Sequence, residues 1–263
     1  MDKVYNAPIM SSKDVRELLE ILQINNASTM KEFMLVIDQV RSMEKQLNMA
    51  IKELAAMRLE LAEAKKNNHP SKNAIQTAVI AMHSQVSVLR EKMAALKATI
   101  ISSCRDTIAA FRDRGVTALD NIARFFKIKP VFENIRDYLE KSIRNEDRAI
   151  LKIEAISAEY HQVGLHVKNM GRVARGKEAA QVAKPAGKLA AAISLPIRIE
   201  RNCFASIKKS AEAAINAMSR LEEKAMERQQ PIRETLENIK KKIELEIPER
   251  TTPERTRKIE HAR

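Results

Sequence analysis

Along most of the chain, apolar residues recur at alternating steps of three and four. One series runs through Phe33, Val36, Val40, Met43, Leu47, Ala50, Leu54, Met57, Leu61 and Ala64. A seven-residue repeat of this kind keeps one seam of a helix facing a partner. "KKNNHPS" interrupts it, because Pro70 disfavours helix at His69 and paired asparagines suit a turn. The series restarts at Ile75, Val79, Met82, Val86, Leu89, Met93, Leu96 and Ile100. Two such helices joined by a turn form an antiparallel hairpin. The second is expected to continue through Cys104, Ile108, Phe111, Leu119, Ile122 and Phe126, kinked near Gly115, until Pro130.

A third long helix is predicted from Ile135, Leu139, Ile143, Ile150, Ile153, Ile156, Tyr160, Val163, Val167 and Met170. Glycine and proline then cluster, and a fourth helix is expected from about Pro196. Its stripe is Phe204, Ile207, Ala211, Ala214, Met218, Leu221 and Ala225, and Pro231 is expected to break it. Before the first seam lies a short helix with Val15, Leu18, Leu19 and Leu22, and Thr29 with Glu32 has capping-box spacing. The chain shows no period-two run of strand length. The pattern therefore predicts an all-α protein, an elongated helical bundle or coiled coil of about four long helices, with an antiparallel hairpin first and no sheet. The expected divisions are a short helix (1–27), the long-helix bundle (28–170), a connector (171–195), a fourth helix packing on the bundle (196–229), and a charged helix with a polar, disordered tail (230–263).

Composition agrees with helix. The 263 residues include five glycines, eight prolines and no tryptophan, and aromatics are only 3%. The core must be a thin one of aliphatic side chains between long helices. Cys104 and Cys203 are the only cysteines, too few for a disulfide framework in a chain of this length. The N-terminus has early acids and no apolar core of signal-peptide length. The longest apolar run, "LAAAISLPI", is about half of the ~20 residues a spanning helix needs. A reducing, cytoplasmic setting is expected.

Motifs for chemistry are sparse. "GRVARGKE" keeps the P-loop spacing at Gly171, Gly176 and Lys177, but Glu178 stands where a magnesium-binding hydroxyl belongs. A P-loop also needs a strand before it, and here a helical stripe precedes. His161 and His166 are five apart, not the four that lets two imidazoles on one helix face share a metal. Glu159 beside Tyr160 and His161 reads as the polar flank of a helix. The expectation is a protein that is not an enzyme, with no catalytic residues, no metal site and no cofactor.

Charge is more informative. The formal charge is +13, and residues 71–130 (+6) and 165–209 (+8) carry the excess. Arg172, Arg175, Lys177, Lys184, Lys188, Arg198 and Arg201 mark the second region as a candidate contact for an anionic partner. The alternative is a solvated basic linker. "ARFFKIKPVF" interleaves Phe125, Phe126 and Phe132 with Arg124, Lys127 and Lys129, a pattern that suits base stacking or a membrane interface, or closes a core at a helix end.

The blocks "FMLVIDQVRSMEKQL", "DNIARFFKIKP", "AEYHQVGLHVKNMGR" and "GKLAAAISLPIRIERNCFASIKKS" resemble an uncharacterised family of Firmicutes proteins. The resemblance extends to about Ala225. It implies a setting, an intracellular accessory commonly encoded on conjugative and other mobile elements, and no activity or site residue. The leading functional expectation is a non-catalytic helical interaction or scaffolding protein, self-associating through the first hairpin. Nucleic-acid binding through the basic connector is the alternative, and peripheral membrane contact is a third class.

Overall fold

In the computed structural model, the residues described are 7–63, 71–120, 127–175, 178 and 188–246. Among them the chain is helical throughout, with no strand. The elements are a single 3-10 turn (Ile9–Ser11), α1 (Lys13–Asn25), α2 (Ala27–Glu63), α3 (Ser71–Arg114), the short α4 (Thr117–Asp120), α5 (Lys129–Val173) and α6 (Lys188–Glu246). At 1.5 Å per residue, α6 is roughly 90 Å long and α5 roughly 70 Å.

α6 is the central element and the main partner of both α2 and α5. Ion pairs fix the register. Lys129–Glu222, Lys208–Glu140, Arg201–Asp147 and Arg198–Glu154 climb α5 while descending α6, so these two are antiparallel. Glu32 receives Arg220 and Lys224, each at 2.9 Å, and Ser210 donates to the Ser42 hydroxyl at 3.2 Å, so α6 is also antiparallel to α2. Lys97 reaches Glu44 across the α2–α3 hairpin and donates to the Ala7 carbonyl, both at 2.9 Å. α3 crosses α5 where the Tyr138 hydroxyl donates to the Gln85 carbonyl at 3.0 Å.

The predicted seams are the core. Phe33, Val36, Val40, Met43, Leu47, Ala50 and Leu54 are buried, as are Val79, Met82, Val86, Leu89, Met93, Leu96 and Ile100. The full α6 stripe from Phe204 to Ala225 is buried too. All of this is covered within one chain. α2 and α3 pack on each other and on α6.

Several expected boundaries move. The cap at the start of α2 is Asn26, whose Oδ1 accepts the Thr29 N–H at 3.2 Å. Thr29 and Glu32 instead lie inside the helix, with Glu32 spent on Arg220 and Lys224, so they are no capping box. α3 does not run on past Gly115. That glycine has φ +67°, and its N–H donates to the Phe111 carbonyl at 2.8 Å, a left-handed stop rather than a kink. The fourth helix begins at Lys188, and it passes through both Pro196 and Pro231. Each proline removes one N–H from the helix ladder, a loss that the long packed α6 tolerates. The connector is thereby shortened to the residues between Val173 and Lys188.

Candidate functional site

α5 carries one continuous heptad seam that changes character halfway. Its inner positions Phe132, Ile135, Leu139, Ser142 and Glu146 are buried against the bundle, and Ile150 beside them is buried as well. In the outer half the same spacing leads to Ile156 (66% exposed), Val163 (61%), Val167 (58%) and Met170 (66%). By the register of the α5–α6 ion pairs, Val167 and Met170 lie beyond the first described residue of α6, while Ile156 lies beside α6 and is exposed all the same. Gly164 and Gly171 flank this outer seam, and a Cβ at Gly164 would meet nothing within 4 Å.

The basic candidates divide into three groups. Arg198 is paired with Glu154, and Arg201 with Asp147 at 2.8 Å, so both serve the α5–α6 contact. Arg172 and Arg175 sit at the end of α5 and donate to main-chain carbonyls, of Glu178 and Gly171 respectively, each at 2.8 Å. Among the described residues neither guanidinium pairs with a carboxylate. Lys188 is the first residue of α6, and Lys177 and Lys184 lie outside the described residues. The structure thus brings Arg172 and Arg175 together with exposed Lys168 around the tip of α5, and does not gather all seven.

The P-loop look-alike falls at the same tip. Gly171 is in the last turn of α5, so a helix stands where a strand would be needed. Glu178 is exposed, and Gly176 and Lys177 lie outside the described residues. In "ARFFKIKPVF", Phe132 is wholly buried and Lys129 pairs with Glu222 at 2.6 Å, so this part closes the core. Arg124, Phe125 and Phe126 are outside the described residues, and Lys127 is exposed.

Two residues that sequence reasoning passed over form an unusual buried pair. Glu146 on α5 is 4% exposed and Glu200 on α6 is 3% exposed. Among the described residues neither oxygen of Glu146 has a hydrogen-bond partner, nor does Oε1 of Glu200. Burial pushes the Glu146 carboxyl up to about 9, helped by Glu200 and Asp147 and opposed by Arg201. Burial alone takes Glu200 up to about 8. Both carboxyls thus hold their protons well above the usual carboxylate range. The nearby Cys203 thiol, which donates to the Gln46 carbonyl at 3.3 Å, is raised to about 11 by burial and then by the two carboxyls. Cys104 is raised to about 12, chiefly by burial. Thiols so placed stay protonated and unreactive. The signal for Glu146 was a gap: the expected stripe jumps from Ile143 to Ile150, and a polar residue fills the position between.

Among the described residues no group of three or more His, Cys, Asp or Glu could hold a metal ion, and no helix is long and apolar enough to cross a membrane.

The fold and this surface define an all-α bundle, closed on its own core, in which the apolar seam of α5 continues past the core. The chain matches a family of unknown function, DUF6674, over residues 11–259 and belongs to that family. No curated protein and no solved structure matches it.

Proposed function

We propose that this protein is a non-catalytic helical interaction or scaffolding protein that presents the outer half of α5 to a partner. The observation that supports this reading is the exposed seam of Ile156, Val163, Val167 and Met170, which continues the heptad spacing of a buried one. A water-facing apolar stripe of that length on a helix marks a place where another helix docks. The setting implied by the sequence resemblance, a cytoplasmic accessory of a mobile element, fits a protein whose role is to bind. Affinity capture from the native host, using wild type and Val167→Glu side by side, tests the reading. A protein retained by wild type and lost with the variant is the expected result, and equal retention contradicts it.

A second reading has its own observation. Lys168, Arg172 and Arg175 cluster at the α5 tip without a carboxylate in their described contacts. Phosphates of a nucleic acid suit such a cluster, and the binding would be salt-dependent and nearly indifferent to sequence. Changing Arg172 and Arg175 to Gln should make the log–log salt slope on duplex shallower by about two units. A gel-shift titration that is flat for both proteins at 100 mM salt removes this reading. Peripheral membrane contact through the same seam is the weakest of the three, because no broad apolar face accompanies the narrow stripe.

A further inference from the structure

We infer that the partner of the outer α5 seam is a second copy of the same seam, packed antiparallel as a two-helix coiled coil. This rests on the interaction reading above and names its partner.

Three observations on α5 converge. First, the spacing is self-complementary. With a two-fold axis between residues 161 and 162, Ile156 of one copy lies level with Val167 of the other, Ile153 with Met170, and Val163 with position 160. Each layer is repeated by the symmetry, as an isologous interface requires. Second, charge selects the direction. Residues 151–163 carry a net −1 and residues 164–175 a net +3, with histidines neutral. An antiparallel pair keeps the two basic halves apart and brings exposed Glu159, level with position 164, within two residues of exposed His166. A parallel pair would stack +3 on +3. Two like-signed neighbours, Lys152 near Arg172 and Arg148 level with Arg175, fall at the ends of the overlap, where solvent screens them. Third, the glycines lack an explanation among the described residues. A glycine within a helix destabilises it by about 1 kcal/mol relative to alanine. Yet a Cβ at Gly164 would meet nothing, and at Gly171 it would meet only the flexible end of Arg175 at 3.5 Å. Both glycines lie on the same edge of the seam, where the missing side chains let a second helix come close.

Sedimentation velocity of the full chain over a range of concentrations tests this. Wild type is expected to pass from monomer to dimer. Val163→Glu places two charges in the buried seam of the dimer and should weaken it by about a hundredfold or more. Because Val163 is exposed in the single chain, the variant should keep its circular dichroism spectrum and its melting curve. Direction is read by mixing Glu159→Cys and His166→Cys proteins with a short bis-maleimide, wild type supplying the background from its own thiols. Antiparallel packing predicts more crosslinked dimer in the mixture than in either protein alone. A wild type that stays monomeric, a Val163→Glu protein that dimerises equally, or a mixture no better than its parts would each overturn the proposal. If wild type is monomeric yet captures a host protein through Val167, the second-copy proposal falls and the interaction reading stands. If it is monomeric and captures nothing, both fall.

Discussion

Glu146 and Glu200 decide how this protein responds to pH. In the unfolded chain each titrates near 4.5, and in the fold they hold their protons to about 9 and about 8. Between those values the folded state binds more protons than the unfolded one, so stability falls as pH rises. Below about 4.5 the full contribution is present, and it is gone above about 9. Each carboxyl adds a slope of up to about 1.4 kcal/mol per pH unit in that window. Melting temperature measured from pH 5 to 9 should drop steeply for wild type and clearly less for Glu146→Gln with Glu200→Gln. Parallel curves would mean the pair is hydrated or paired in solution. Glu32 behaves oppositely. Burial raises its carboxyl, and hydrogen bonds from Lys224 and Arg220 outweigh that, leaving it below the usual range. Its contribution is lost when pH falls. Within the apolar seam, Leu54→Ala should destabilise by about 2–5 kcal/mol, because Leu54 is buried in the single chain. A denaturant midpoint unchanged from wild type would show that the seam is not packed.

At the scale of elements, the spacing of apolar residues revealed the long helices and nearly all of their buried faces. Phe33 to Leu54 and Phe204 to Ala225 were legible because aliphatic residues at heptad steps have no other use in a water-soluble helix. Ends were less legible. Pro196 and Pro231 look like stops; at Pro196 α6 runs between α2 and α5, whose packing outweighs the lost ladder bond, while at Pro231 the helix continues past the start of both. Gly115 looks like a kink, but its positive φ makes it a stop. Gly115→Ala should cost about 1 kcal/mol through backbone strain alone, since no neighbouring atom lies within 4 Å of the added methyl. A thermal melt within error of wild type would show that α3 ends by other means. The exposure of the outer α5 seam was not legible at all. Ile156 and Ile135 look alike in sequence, and only the packing of α5 in the fold separates a covered position from an open one.

At the scale of the whole molecule, the described chain is a bundle that closes its own core and leaves the outer α5 seam open. The basic residues sort in the same way. Arg198 and Arg201 hold α6 to α5, while Arg172 and Arg175 stand at the open tip with Lys168. The account's central claim is that the inner seams are satisfied within one chain and the outer α5 seam is satisfied only by a partner. Amide hydrogen exchange on the full chain, followed across a dilution series, measures both halves of that claim at once. Protection over 33–54 and 204–225 should be independent of protein concentration, and protection over 156–170 should grow with it. Core protection that disappears on dilution, or outer α5 protection that never changes, would contradict the account.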